Sequence, residues 1–200
     1  MASIDVAEDA PQPSPEVLKK LETAKEKKDV GDQAFKTGDW KSALRSYHES
    51  LLYLRGLDKN ALSPVAAATA PPPIDGTTQP KQKTEADEIM EKIYSNMSAC
   101  HLKQSNWRRA IETADKALAI NEDNYKALFR KAKGLGETGY FEKAEKMLED
   151  LLKKNESDAP AINAELTRLR AMDKEREKAQ NQKFKGDESF CSARRSLTQM

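Results

Sequence analysis

The sequence predicts an all-α fold: three helix–turn–helix repeats in a right-handed superhelix, followed by a C-terminal capping helix. Within 125–150, apolar residues recur at helical spacing, stop at Gly139 and then restart. The same pattern occurs earlier in the chain, where Ala110 precedes Ala144 by 34 residues, and a third time around Ala43. A unit of two short helices cannot bury its apolar face alone. The repetition therefore predicts that neighbouring units stack on each other.

Composition limits the class of protein. Of the 200 residues, 38% are hydrophobic and 34% are charged, which suits a thin helical array. The formal net charge of +1 gives no argument for a nucleic-acid or membrane partner. No apolar run is long enough to span a membrane, and residues 1–11 do not resemble a secretory signal. Because Cys100 and Cys191 form no disulfide framework, we expect a reducing, cytoplasmic setting. We also expect neither a cofactor nor a metal.

The first repeat is predicted at 24–56. Residues 1–14 form an acidic tail that we expect to be disordered. A helix is predicted from 15 to 36, since a serine and a proline at its start favour a helix N-terminus. Gly38 ends that helix, and the second helix of the repeat is predicted at 40–54.

An insertion then interrupts the period. Ala43 and Ala110 lie 67 residues apart, which is one period of 34 residues plus 33 more. Five prolines lie within 57–83, and this density excludes a long helix. We predict a mobile loop between repeats one and two. It is either a tolerated insertion or an element that contacts a particular partner.

The second and third repeats are predicted at 84–121 and 122–156, with a capping helix at 159–183. Residues 84–87, TEAD, have the pattern of a capping box. The capping helix is apolar on one face in its first half and polar all round in its second half, which we expect to project into solvent. Residues 184–200 form a basic tail, predicted as disordered. The predicted helices after the insertion are 84–103, 107–120, 124–138, 140–154 and 159–183.

Residues that could carry catalysis do not converge in the sequence. Residues 134–139, GLGETG, match the nucleotide-binding pattern G-x-G-x-x-G, but no strand precedes them. His48 and His101 lack other metal ligands at suitable spacing, and Cys100 suits a small core residue. We therefore predict no enzyme activity and no metal site.

The groove of a repeat superhelix is lined by the first helix of each repeat. Five polar residues are predicted to face it: Lys28, Asp32, Asn96, Lys126 and Arg130. Cations and an amide in one groove suit a peptide that ends in a carboxylate, because charge-assisted hydrogen bonds hold its oxygens. We predict that Lys28, Asn96 and Arg130 bind the terminal carboxylate and Lys126 an upstream acid. The alternative is that they are ordinary surface residues.

The period and these five positions carry a family resemblance. Residues 15–183 resemble the tetratricopeptide repeat (TPR) domains of cochaperones, which bind the Glu-Glu-Val-Asp tails of the 70 and 90 kDa heat-shock proteins. The resemblance implies a carboxylate clamp of Lys, Asn, Asn, Lys and Arg. This chain has Asp32 where the family has the first Asn. An ionised carboxylate there repels a ligand carboxylate, whereas an amide donates to it.

A narrower resemblance is to the tetratricopeptide repeat protein 9 family. It rests on SYHESLLYLRGLD, the proline-bearing insertion and the following YSNMSACHL. Together the two resemblances imply a non-catalytic adaptor, a cochaperone that binds acidic C-terminal peptides of heat-shock proteins such as the Hsp90 or Hsp70 tail. The alternatives are a TPR scaffold for a different partner and an accessory subunit of an enzyme such as a peptidyl-prolyl isomerase.

Overall fold

The computed structural model describes residues 14–55, 57 and 83–197, and for 184–197 it describes the backbone only. Within these residues all regular secondary structure is α-helical, as the sequence predicted. The helices of the described residues are α1 (Pro15–Lys36), α2 (Trp40–Arg55), α3 (Glu85–Lys103), α4 (Trp107–Ile120), α5 (Tyr125–Glu137), α6 (Phe141–Lys154) and α7 (Ala159–Leu197).

The helices are arranged as three sequential pairs: α1 with α2, α3 with α4, and α5 with α6. A connection of three residues joins the helices of each pair, which makes them antiparallel neighbours. The first helix of each pair contacts that of the next, and α7 packs on α5 and α6. The first helices and α7 therefore form one continuous layer. The predicted fold class, three helix pairs and a capping helix, is confirmed.

Small residues allow the two helices of a repeat to cross closely. Ala43, Ala110 and Ala144 are fully buried at the equivalent position of the three repeats. In the first repeat, a Cβ atom on Gly31 would lie 2.6 Å from the ring carbon Cε1 of Tyr47. The absence of a side chain at Gly31 thus allows the close approach of Tyr47. With its ring held there, Tyr47 reaches the layer of first helices with its hydroxyl group.

The turns inside the three repeats share one backbone conformation. Gly38 has φ of 84° and Gly139 has φ of 87°, the left-handed region that glycine adopts without steric cost. The equivalent turn of the second repeat has Ser105 at φ of 56°. The second repeat therefore keeps the turn geometry without a glycine, and a side chain there carries steric strain.

The start of α3 has the predicted capping box. The hydroxyl oxygen of Thr84 accepts a hydrogen bond from the backbone N–H of Asp87, at 3.2 Å. In return, the backbone N–H of Thr84 donates to the Asp87 carboxylate at 3.1 Å. Two N–H groups that lack helical partners are satisfied in this way, so the sequence sets the N-terminus of α3 locally.

The buried side chains form two apolar clusters. One joins the first and second repeats, and the other joins the third repeat to α7. Ile162 and Leu169 of α7 are almost fully buried against α5 and α6. Gly136 lies directly beneath Leu169, and Gly134 lies beneath Ile111. Gly134 and Gly136 therefore serve helix packing, and α7 covers the apolar face of the third repeat.

One element differs from its predicted bounds. The C-terminal helix was predicted to end at residue 183 and to be followed by a disordered tail, but α7 continues to Leu197. No proline occurs in 184–197, so helical backbone is not excluded there. From residue 174 to 183 the side chains are exposed, as expected for the polar half.

Two predictions lie outside the described residues: disorder of the acidic tail, apart from Ser14, and mobility of the insertion between Leu57 and Lys83. None of the helices in the described ranges is long and apolar enough to cross a membrane.

Candidate peptide-binding groove

The five predicted groove residues lie on the layer formed by the first helices. Lys28 and Asp32 are on α1, Asn96 is on α3, and Lys126 and Arg130 are on α5. The structure brings them together in two groups. Lys28 and Asn96 both donate hydrogen bonds to Asp32 at one end of the groove. Lys126 and Arg130 line a cavity at the other end.

The carboxylate of Asp32 is the centre of the first group. Its Oδ1 accepts hydrogen bonds from the Tyr47 hydroxyl at 2.6 Å and from Nδ2 of Asn96 at 2.9 Å. Its Oδ2 accepts from Nζ of Lys28 at 2.7 Å. We call these four residues the Asp32 cluster. A carboxylate accepts about four hydrogen bonds, so these three donors nearly saturate it.

The protonation states of the cluster follow from these contacts. Burial raises the pKa of Asp32, but the hydrogen bonds from Lys28, Tyr47 and Asn96 outweigh it and hold the pKa below its usual range. Asp32 is therefore ionised at neutral pH. Burial and the hydrogen bond to Asp32 both raise the pKa of the Tyr47 hydroxyl, which keeps its proton and donates it.

Lys28 is shared between two acids. Its ammonium group lies 2.8 Å from Oδ1 of Asp29 as well as 2.7 Å from Oδ2 of Asp32. Burial lowers the pKa of Lys28, while the two acids raise it, and the net direction is upward. One ammonium and two carboxylates leave this end of the groove with a net negative formal charge. An anion that approaches it meets repulsion at short range.

The second group surrounds a cavity of about 620 Å³ between α3, α5 and the start of α7. Four basic side chains line it: Lys103, Lys126, Arg130 and Lys133. Asp158 is the only acid among its lining residues. Apolar side chains form the rest of its walls: Ala99, Leu102, Trp107, Tyr125, Phe129, Leu151, Ala161 and Ile162. We call this space the basic cavity.

Arg130 is fixed by contacts with α3. Its Nη1 donates to the backbone carbonyl of Ser95 at 2.7 Å and to the Ser95 hydroxyl at 2.6 Å. Burial lowers the pKa of the guanidinium group, which nevertheless stays protonated in proteins. Ser95 is the neighbour of Asn96 in α3, so this contact links the basic cavity to the Asp32 cluster. Arg130 is thus oriented before any ligand arrives.

Two cations of the basic cavity were not among the predicted groove residues. Lys133 follows Lys126 by seven residues on α5, and Lys103 follows Asn96 by seven residues on α3. Seven residues are about two helical turns, so both positions return to the same face. The signal that could have found them was therefore present in the sequence.

The histidines and Cys100 lie outside both groups. His48 and His101 line a separate cavity of about 300 Å³ between α2, α3 and α4. Burial lowers the pKa of both imidazoles, and neighbouring cations lower it further. Cys100 is fully buried, and burial raises the pKa of its thiol to about 12. No three side chains of the types that bind metals are grouped suitably for an ion within the described part of the chain.

Three stacked helix pairs, a capping helix and a groove lined by the first helices define a TPR domain. Residues 101–179 match the family model described as tetratricopeptide repeat. This segment of the chain is therefore similar to TPR proteins, and the described helices have the arrangement of a TPR domain. The narrower resemblance to the tetratricopeptide repeat protein 9 family stays a prediction.

Solved structures share this fold. One is the C-terminal TPR-containing domain of a putative FK506-binding protein from Plasmodium falciparum, with 21% identity, a TM-score of 0.64, and 81% of this chain and 95% of that chain covered. Another is the Hsp90 co-chaperone Cns1 from Saccharomyces cerevisiae, with 22% identity, a TM-score of 0.59, and 85% of this chain and 46% of that chain covered. A third is the first TPR of Spaghetti (RPAP3) bound to the HSP90 peptide SRMEEVD, with 17% identity, a TM-score of 0.54, and 76% of this chain and 96% of that chain covered. At these identities the likeness shows the fold.

Proposed function

We propose that this chain is a non-catalytic adaptor that binds an acidic peptide in the groove formed by its first helices. The observation that carries the proposal is the basic cavity, where four cations and one acid surround a space with largely apolar walls. Clustered cations favour carboxylates, and apolar walls favour a peptide that also carries large aliphatic side chains.

The tails of heat-shock proteins are the ligand class that we propose first. They are acidic peptides with an aliphatic residue among the acids, which matches the chemistry of the cavity. Support also comes from the fold, which this chain shares with an Hsp90 co-chaperone and with a TPR bound to an HSP90 peptide. On this proposal the chain acts as a cochaperone.

A scaffold for a different acidic partner is the second candidate, and the Asp32 cluster favours it. Lys28 and Asn96, which the clamp would use for the ligand, already donate to Asp32. A groove with one negative end selects differently from a groove that is positive throughout.

The test is binding of a labelled Met-Glu-Glu-Val-Asp peptide, measured by fluorescence anisotropy and calorimetry. Lys126→Ala should weaken binding by about 1–3 kcal/mol, because it removes one charge-assisted contact. Lys131→Ala is the matched control: it removes the same charge from the same helix, but Lys131 pairs with Asp115 at 2.6 Å, away from the basic cavity. Equal affinities of wild type and Lys126→Ala, or no measurable binding by wild type, would reject the proposal for this peptide.

A further inference from the structure

The Asp32 cluster together with Asp29 carries one net negative charge, whereas the basic cavity is positively charged. We propose that the groove recognises the side-chain carboxylates of an acidic peptide in the basic cavity, and that it does not recognise a C-terminal carboxylate. This deepens the proposed function, on which it rests, because it names the chemical groups of the peptide that the site binds. On this proposal, acidic segments inside a partner chain bind with affinities similar to those of acidic chain ends.

The donors at the α1 end are already engaged within the protein. The hydroxyl of Tyr47, the amide of Asn96 and the ammonium of Lys28 all point at the carboxylate of Asp32, at 2.6, 2.9 and 2.7 Å. Asp32 is thus a carboxylate that is covalently part of the protein and held in place. A ligand carboxylate at this end would have to displace it or bind beside it, against its charge.

Lys28 does not restore a positive end. Asp29 and Asp32 both contact its ammonium group, so the three residues together carry one net negative charge. An anion that accepts from the one hydrogen left on this ammonium is therefore opposed by the net negative charge of the three residues.

The basic cavity has the opposite balance. Its four cations and one acid leave a formal charge of +3. Lys103 and Lys126 have no ion-pair partner in the part of the chain that the structure describes, whereas Lys133 lies 3.8 Å from Glu165. Anions are therefore attracted to this end, and the strongest attraction comes from Lys103, Lys126 and Arg130.

The spread of the cations argues for several carboxylates. Lys126 and Lys133 are seven residues apart on α5, which is about 10 Å along a helix, and Lys103 lies on a different helix. One terminal carboxylate contacts only part of such a set. Two or three acidic side chains along an extended peptide engage more of it, and an aliphatic side chain between them meets Leu102 and Phe129. The volume of about 620 Å³ lies within the usual range of ligand sites.

The experiment compares three peptides against wild type by anisotropy: Met-Glu-Glu-Val-Asp with a free carboxylate, the same peptide with an amidated C-terminus, and Met-Gln-Gln-Val-Asp with a free carboxylate. We expect amidation to change the dissociation constant less than about threefold, and the two glutamines to raise it tenfold or more. A tenfold loss on amidation overturns the inference. Failure of wild type to bind any of the three rejects the proposed function instead, so the two failures are distinguishable.

Variants locate the site. Lys103→Ala and Lys133→Ala should each weaken the free and the amidated peptide to the same degree, while Lys131→Ala leaves both unchanged. Asp32→Asn removes one of the two negative charges beside Lys28, so that this variant should bind the free carboxylate at least fivefold more tightly than the amide. Unchanged binding in Lys103→Ala and Lys133→Ala overturns the assignment to the basic cavity. So does sedimentation that shows a dimer which the peptide does not dissociate but which Lys103→Ala and Lys133→Ala do, because a second copy would then occupy the cavity.

Discussion

The side-chain amide of Asn96 donates a hydrogen bond of 2.9 Å to the carboxylate of Asp32, across the boundary between the first and second repeats. The two residues are 64 positions apart in the chain. Tyr47 donates to the same oxygen from the second helix of the first repeat. One acidic side chain thereby connects three helices. Together with Asp29 it gives this end of the groove a net negative charge.

The hydroxyl of Tyr47 provides a test of this cluster. Tyr47→Phe keeps the ring against Gly31 but removes the donor to Asp32, so we expect a loss of about 1.5–3 kcal/mol in the free energy of unfolding, as for a hydrogen bond to a charged group. The pKa of the Asp32 carboxyl should rise. Urea unfolding and NMR titration of the carboxyl carbon measure the two effects. Tyr53→Phe is the control, because Tyr53 is exposed; equal stabilities of the two variants would contradict the prediction.

Two substitutions in the turns should have opposite effects on the free energy of unfolding. Gly139→Ala places a Cβ atom at a φ of 87° and should cost about 1–2 kcal/mol of unfolding free energy. Ser105→Gly relieves the same strain at a φ of 56°. Since glycine also loses more backbone entropy on folding, the gain should be smaller, about 0.5 kcal/mol. Thermal and urea unfolding check both, and a destabilised Ser105→Gly would show that Ser105 is not strained.

Packing of the capping helix depends on the absence of a side chain at Gly136. A Cβ atom there overlaps the side chain of Leu169, so Gly136→Ala should cost about 1–3 kcal/mol through overpacking. Leu169→Ala should cost about 2–5 kcal/mol through the cavity that it leaves. In the double variant the new methyl group occupies part of that cavity, and the cost should be less than the sum. Additive costs would mean that the two residues do not pack against each other.

Stability should decrease as the pH falls from neutral. Burial, followed by nearby cations such as Arg109, lowers the pKa of His101 in the folded protein, and the pKa of the more exposed His48 is lowered in the same direction. The neutral imidazoles contribute to the free energy of unfolding. This contribution is fully present at a pH above about 6.5, the pKa of histidine in the unfolded chain. That stability is lost as the pH falls through the lower, folded pKa. His101 also has a buried Nδ1 without a hydrogen-bond partner among the described residues, which disfavours a proton there.

Urea unfolding at pH 7.5 and 5.5 measures this effect. The unfolding free energy of wild type should be lower at pH 5.5, and His101→Gln should show a smaller difference between the two values. The lowered pKa of Asp32 acts in a separate window, since its contribution is lost only below the pKa of an ordinary aspartate, about 3.9. An unchanged pH dependence in His101→Gln would assign the effect to other groups.

Local signals in the sequence predicted most of the helices to within a residue. The capping box at Thr84 and Asp87 and the glycine at position 38 act over a few residues, so their effect is visible without a structure. Periodicity placed the groove residues on one layer for the same reason. The last helix was the exception, because nothing local in 184–197 distinguishes an exposed helix from a disordered tail.

The sequence by itself determined the repeated helix pairs, their turns and the capping helix, and it placed the five predicted polar residues on the first helices. These features depend on spacing along the chain and on short-range backbone preferences. Only the tertiary structure decided which partner each groove residue binds: Lys28, Tyr47 and Asn96 turn to Asp32, while Lys126 and Arg130 line a basic cavity. The physical reason is that these contacts form between helices distant in sequence, so they exist only once the repeats have stacked.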